Sequence, residues 1–320
     1  MRTLVVHMSG LGDLVVCLPA LHVISEAAGT DGVTFAADAD YRQLIRMEGL
    51  PCELVDLAAL PWRALWDRSL DAAAAGIPRY ELVTELWHLG ARRLRYEAAT
   101  GGRYLVWPPD PGTWRQGDMP VRTWAWARAA LHTPAKFVAP RLRPSAITVT
   151  EVAAYLAGRD IHPPYAVVAP GAGGEYKAWP EAHWWALARR LRTEAGVQVV
   201  VILGPRECGR GVVAPADAAD YVVREWELED VAAVLARASL YVGNDSGLSH
   251  VAAWVQTGQD GRLPCVLAFC RLNMRTWAAN VPWMRALALD CAHPDRLTVG
   301  EMYGAAAAAL AGQPGPASGA

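Results

Sequence analysis

The stretch "HMSGLGDLVVCLPAL", residues 7 to 21, reads as the end of a strand, a glycine-rich turn and the opening of a helix. Ahead of it, "RTLVVHM" is an apolar strand; behind it, residues 13 to 28 carry a helical pattern. Such a turn normally binds phosphate, because backbone N–H groups and the helix dipole favour an anion there. This one carries its own anion, Asp13. Gly10 and Gly12 fit a dinucleotide fingerprint, but Val15 stands where the third glycine belongs. The turn is therefore a poor match for a dinucleotide-cofactor site. From spacing alone, Asp13 is either a first-turn residue stabilised by the dipole or a carboxylate placed for chemistry.

Working outward, the same alternation repeats. "GVTFAADAD" is a second strand, "DYRQLIRMEGL" a short helix, "CELVDL" and "YELVTEL" further strands, and residues 121 to 132 a Trp-rich helix. Short apolar strands separated by helices predict a doubly wound parallel sheet. Residues 133 to 150, "TPAKFVAPRLRPSAITVT", hold three prolines and read as a linker. A second alternation then runs from "PYAVVAPGAGG" through a helix from Pro180 to about Glu194, "VQVVVILG", a strand near "DYVV", the helix "ELEDVAAVLARA", "SLYVGNDSGLSHVAAWV" and "LPCVLAFC" to a last helix, "GEMYGAAAAALAG". The reading is α/β throughout. It divides into 1–150, 151–312 and a Pro/Gly/Ser-rich tail, 313–320, expected to be disordered.

Composition narrows the class. The 320 residues suit two domains, and 53% are hydrophobic against 19% charged. No uninterrupted apolar stretch reaches the roughly 18 to 20 residues of a membrane span, and the N-terminus does not read as a leader. A cytoplasmic protein is expected, with at most peripheral contact with lipid. Residues 1 to 160 hold 17 basic and 17 acidic side chains, which does not suit a nucleic-acid binder. Cysteines 17, 52, 208, 265, 270 and 291 show neither a C-x-x-C pair nor zinc spacing, so unpaired thiols and no metal are expected. Only Lys136 and Lys177 among the 30 basic residues are lysine.

Two later segments carry chemistry. In "VVAPGAGGEYKAWPEAHWW" a strand enters a loop where Gly171, Gly173 and Gly174 allow close backbone approach, Lys177 supplies charge and Pro180 suits a first helical turn. An exposed turn with a surface lysine is the plainer alternative. In "LYVGNDSGLSHVAAW" Ser246 can cap a helix and leave N–H groups facing outward, with His250 four residues on. The plainer alternative makes Asp245 and Ser246 caps only and His250 a core residue.

Together and in this order, Gly10 to Leu21 ("GxGD…LPAL"), Pro170 to Pro180 ("PGA…K-x-WP") and Gly243 to Ala253 ("G-x-D-[ST]-G-x-x-H-x-A-A") resemble family 9 of the glycosyltransferases, the ADP-heptose:lipopolysaccharide heptosyltransferases. The resemblance runs over roughly residues 1 to 310. It implies the GT-B fold, two Rossmann-like doubly wound domains facing a central cleft, with the acceptor on the N-terminal domain and the nucleotide sugar on the C-terminal one. It implies an inverting, metal-independent transferase with no cofactor, a donor that is an ADP-linked heptose, a saccharide or glycolipid acceptor, and a monomer. Carried over by position, Asp13 is the general base. Gly171, Ala172, Gly173 and Lys177 hold the diphosphate with Asp245, Ser246, Gly247 and His250, while Glu207 meets the ribose and Trp226 walls the nucleobase. Gly12, His88, Arg92 and Arg93 fall on the acceptor side, although Arg92, Arg93 and Arg95 also read as a solvated face. The sequence departs from the family where "VQTGQDGRL" intervenes after the third motif and where Cys270 replaces a glycine. Two other classes share parts of the pattern: a GT-B sugar-nucleotide epimerase or hydrolase, which needs further acid/base groups, and a nucleotide-sugar binding protein, which has no need of Asp13.

Overall fold

The apolar run after Arg2 forms β1 (Thr3–His7), buried along its whole length, and the chain turns at Ser9 and Gly10 into α1 (Leu11–Ala28). The computed structural model describes residues 1–29, 32–87, 92–106, 118–258 and 261–312. The tail from 313 on lies outside them. Two compact units result, Met1–Pro140 and Arg141–Ala320.

In the first unit α1 is followed by β2 (Val33–Ala37), α2 (Ala39–Glu48), β3 (Glu53–Asp56), β4 (Leu82–Leu86), α3 (Arg93–Thr100), β5 (Arg103–Val106) and α4 (Met119–Leu131). The sheet runs β3-β2-β1-β4-β5, all parallel. Its strands read as apolar runs because helices cover both faces. Leu4, Val6, Val83, Tyr96 and Tyr104 make one side of the core. Helix α1 has the length and mean hydropathy, 1.5, of a membrane span, but 61% of it is buried inside the unit. Thr123 of α4 ties it down by donating to the Val16 carbonyl at 2.8 Å.

The second unit begins inside the stretch read as a linker. Ser145 caps α5 (Ala146–Ala157), its hydroxyl accepting the Thr148 N–H. The β-branched opening "AITVT" hid that helix from a periodicity reading. Then come β6 (Tyr165–Ala169), α6 (Glu181–Thr193), β7 (Gln198–Leu203), α7 (Pro205–Gly209), β8 (Tyr221–Arg224), α8 (Leu228–Arg237), β9 (Leu240–Asn244), α9 (Gly247–Trp254), β10 (Gln256–Thr257), β11 (Gly261–Arg262), β12 (Cys265–Cys270), α10 (Arg271–Trp277), β13 (Met284–Leu289) and α11 (Val299–Leu310). The intervening "VQTGQDGRL" folds in part as an antiparallel ribbon, Gln256 opposite Arg262. The main sheet runs β13-β12-β9-β6-β7-β8, again parallel. Trp179, Trp184, Leu187 and Leu191 pack against Val168 and Val201 beneath it.

Each unit is Rossmann-like, and in each the strand order reverses once, between β1 and β4 and between β6 and β9. In open α/β sheets ligands bind outside the carboxyl ends of the strands at that switch point. His7 pairs with Leu86 and Ala169 with Gly243 at those ends, so each pair delivers its following turn to one place.

Candidate functional site

At the first switch point Gly10 is the N-cap of α1 and Asp13 lies in its first turn. Asp13 Oδ2 accepts two bonds, from the Ser9 hydroxyl at 2.5 Å and from the Gly10 N–H at 2.9 Å. His7, fully buried, makes a 3.2 Å hydrogen bond through Nε2 to the Gly10 carbonyl, and its ring meets Tyr41 edge-on at 4.7 Å. Burial, with the negative charges of Asp38, Asp13 and Asp40 near it, raises the Tyr41 hydroxyl above its ordinary value. From the end of β4, Trp87 reaches across in the left-handed backbone region, φ 73°, and its indole N–H donates to the Asp13 carbonyl at 2.9 Å. Asp13 does cap a helix, but with one oxygen only.

The acceptor-side candidates separate. Gly12 is the second residue of α1. His88 lies outside the described residues. Arg92 donates to Glu85 at 2.5 Å, and Glu85 is a fully buried carboxylate at the end of β4. Burial raises the Glu85 carboxyl above its usual range, and Arg92 opposes that. Arg93 makes an exposed pair with Glu97 one turn on, and Arg95 spans the carbonyls of Ala64, Asp67 and Leu70. The three arginines are thus not one solvated face: Arg92 and Arg95 are structural ties and only Arg93 is a surface residue.

At the second switch point the two motifs meet. Asn244, fully buried at the end of β9, donates to the Pro170 carbonyl at 2.6 Å and accepts the Trp179 N–H at 3.0 Å. Trp179 in turn donates its indole N–H to Leu297 at 2.7 Å and is 1% exposed, so the tryptophan of "K-x-WP" anchors the loop in the core. The loop is drawn to the next turn by the Gly173 N–H, which donates to the Asp245 carbonyl at 3.3 Å. Lys177 Nζ then lies 3.1 Å from Asp245 Oδ2, with the lysine side chain 19% and the aspartate 5% exposed. Ser246 is the N-cap of α9, its hydroxyl accepting from the Ser249 N–H, and Gly247 opens the helix. A cation, a neutral cap and helix N–H groups therefore share one spot, which is what an anion needs.

The neighbouring strands extend this edge. Glu207 lies in α7 after β7, accepts the Gly204 N–H at 3.2 Å, and sits so close to Gly171 that a Cβ there would be 2.8 Å from its carboxyl carbon. Arg206 donates to the carbonyls of Gly173 at 2.9 Å and Ala172 at 3.4 Å, holding the glycine loop against α7. A cavity of about 200 Å³ opens there, lined by Ala172, Glu175, Arg206 and Glu207 among others. After β8 the chain turns at Glu225, φ 52°, and presents Trp226, whose ring meets Tyr155 edge-on at 5.2 Å. His250 is 6% exposed, with the rings of Phe269 and Trp277 at 6.3 and 6.5 Å, so its imidazole sits in the packing beneath α9. Beyond β9, Cys270 and Cys291 are disulfide-bonded, their Cα atoms 6.1 Å apart, where unpaired thiols were expected. The two lie at the carboxyl ends of adjacent strands, which a separation of 21 residues conceals. Among the described residues no group of three or more His, Cys, Asp or Glu side chains is arranged to hold a metal ion.

Sequence reasoning passed over Ser9, Trp87, Asn244 and Arg206. Asn244 alone left a signal, a polar side chain in a strand otherwise wholly apolar.

Two units, each a parallel Rossmann-like sheet presenting polar turns at its switch point, have the architecture of the GT-B fold. The comparisons agree. The model of glycosyltransferase family 9 (heptosyltransferase) matches residues 121–259. Lipopolysaccharide heptosyltransferase 1 of Salmonella typhimurium is 26% identical over 276 residues, covering 79% of this chain and 85% of that protein. The solved structure of E. coli ADP-heptose lipopolysaccharide heptosyltransferase II has a TM-score of 0.69 at 20% identity, covering 98% of this chain and 99% of its own. A family 9 glycosyltransferase from Veillonella parvula gives 0.74 at 15%, covering 98% of both chains. E. coli heptosyltransferase WaaC with ADP gives 0.66 at 21%, covering 94% of this chain and 97% of its own. In sequence the chain is similar to the family 9 glycosyltransferases, and it shares the fold of their solved structures.

Proposed function

We propose that the chain is an inverting transferase that moves a sugar, heptose carried on ADP, to a hydroxyl of a saccharide acceptor. The observation that carries this reading is the meeting of Lys177, Asp245, Ser246 and the α9 N-terminus at the ends of β6 and β9. The relatives named for lipopolysaccharide and ADP-heptose support it.

In this reading the donor lies along the carboxyl edge of the second sheet in strand order. Trp226 after β8 stacks on the base, Glu207 after β7 accepts from the ribose hydroxyls, and the Gly171–Gly173 loop after β6 admits the diphosphate. Lys177 and the N–H groups at Ser246 and Gly247 take its charge, which grows as the sugar–oxygen bond breaks. Asp245 fixes the ammonium at that spot beforehand. Asp13 removes the proton from the acceptor hydroxyl while that oxygen attacks the anomeric carbon opposite the departing ADP. One displacement inverts the anomeric centre, and the positive groups named do the work a metal ion does in other transferases. The first unit, Met1–Pro140, then serves the acceptor and the second, from Arg141 on, the donor. The burial of α1 supports its reading as a core helix, so a glycolipid acceptor is met from outside the bilayer.

The test offers ADP-heptose with either heptose-deficient lipopolysaccharide or a small glycoside, with and without EDTA, and follows ADP release and the new linkage by NMR. Expected are acceptor-dependent release, an inverted anomeric configuration and the same rate in EDTA. Retained configuration, or activity lost to EDTA and restored by magnesium, contradicts the mechanism. Equal ADP release without acceptor makes the protein a hydrolase.

A further inference from the structure

We infer that Ser9 is a positioning residue that commits one oxygen of the Asp13 carboxylate to the loop and leaves the other, Oδ1, as the atom that takes the proton. This rests on the reading of Asp13 as the base.

Three observations point the same way. Both bonds to the carboxylate, from the Ser9 hydroxyl at 2.5 Å and the Gly10 N–H at 2.9 Å, land on Oδ2, and among the described residues Oδ1 has no partner. A carboxylate held through one oxygen by two donors has a fixed plane as well as a fixed distance, so its free oxygen points one way. Second, the Ser9 hydroxyl is not doing helix-capping work. A cap accepts from the orphan N–H groups of the first turn. Ser9 stands one residue ahead of the N-cap Gly10 and donates to a side chain instead, leaving every orphan N–H as it was. Third, the scaffold behind the carboxylate is braced. The Gly10 carbonyl takes the Leu14 N–H at 3.2 Å and a 3.2 Å bond to His7, while the Asp13 carbonyl takes the Trp87 indole. With the backbone held on both sides, the remaining freedom is rotation of the carboxylate, set by the Ser9 and Gly10 bonds to Oδ2, of which the Ser9 bond is the one made by a side chain. Gly10 fits this arrangement, since a Cβ there would lie 3.2 Å from Oδ2.

A proton acceptor must lie within about 2.6 to 3.2 Å of the atom it deprotonates. A carboxylate free to rotate spends part of its time elsewhere, which slows the chemical step and leaves donor binding alone. Ser9→Ala is therefore expected to lower kcat about ten- to a hundred-fold, the range of a lost hydrogen bond to a charged group. The donor KM should move less than about threefold. Ser9→Thr, which keeps the hydroxyl, should recover most of the rate, whereas a residue that only filled space would not distinguish Ala from Thr in this way.

The experiment measures kcat and donor KM with ADP-heptose and heptose-deficient lipopolysaccharide for Ser9→Ala, Ser9→Thr, Asp13→Asn and the Ser9→Ala/Asp13→Asn double variant, with unfolding temperatures alongside. Two groups acting as one unit are strongly non-additive. The expected result is a double variant no slower than Asp13→Asn alone. A Ser9→Ala enzyme with more than about half of wild-type kcat, a Ser9→Thr enzyme as slow as Ser9→Ala, or a full additional loss in the double variant overturns the role of Ser9. Near-normal turnover by Asp13→Asn overturns instead the base assignment on which it rests, so the two failures are told apart.

Discussion

The turn after β1 and the turn after β9 each lie at the switch point of their own sheet, and they carry opposite electrostatics. Both contain an aspartate beside a helix N-terminus. In the first, Asp13 points back into its own turn and occupies the N-terminal N–H with one oxygen. In the second, Asp245 is drawn aside by Lys177, and a neutral serine caps the helix. A helix start filled by its own carboxylate repels an anion but can accept a proton. One whose carboxylate is neutralised by a lysine attracts an anion. In the proposed mechanism one backbone device thus serves chemistry in one unit and binding in the other, and the choice rests on where a single ammonium sits.

The largest effect that bears on this contrast is Asp13→Asn. The amide keeps the shape and the cap but cannot take a proton at neutral pH, so turnover should fall about 100- to 10,000-fold. A cap-only role predicts the loss of no more than the dipole contribution, roughly 0.3 to 1 kcal/mol of stability, with turnover intact.

Next comes Arg92→Ala, read by urea unfolding. It takes the positive charge away from the buried Glu85 carboxylate, at a cost of roughly 3 kcal/mol, the lower end for a buried pair because Arg92 is 28% exposed. The sign of its pH dependence follows from burial. A carboxyl whose folded pKa lies above its unfolded one costs stability as pH rises past the unfolded value. Removing Arg92 raises the Glu85 carboxyl further, so the loss should be larger at pH 7 than near pH 3, below the unfolded carboxyl range, where the group is mostly protonated in both states. Arg93→Ala, its neighbour in sequence, breaks only an exposed pair one helical turn apart and should cost less than about 0.5 kcal/mol. Equal losses for the two arginines would return them to a common surface face.

Much of this was legible beforehand, for identifiable reasons. Strands buried on both faces of a parallel sheet appear as unbroken apolar runs, so β1, β4, β6, β7, β9 and β12 stand out in the sequence. Helix α5 and the pair α3 and β5 did not, because a β-branched start and a short amphipathic segment give weak periodicity. Asp13, Lys177 and Ser246 could be picked out because glycines flank them at fixed offsets. Their partners could not. The bonds from Lys177 to Asp245 and from Asn244 to Pro170 and Trp179 join segments more than 60 residues apart. Such pairings are decided by which strands become neighbours, as is the bond between Cys270 and Cys291. The difference between Arg92 and Arg93 is likewise a matter of which one faces β4.

The division of labour between the two turns is tested most directly by calorimetric titration of ADP into wild type, Asp13→Asn and Lys177→Ala under one buffer. Lys177→Ala should bind ADP about ten- to a hundred-fold more weakly, the loss of a charge-assisted contact worth roughly 1.5 to 3 kcal/mol, while Asp13→Asn should bind within about threefold of wild type. Unchanged affinity in Lys177→Ala, or an equal weakening in both variants, would contradict it.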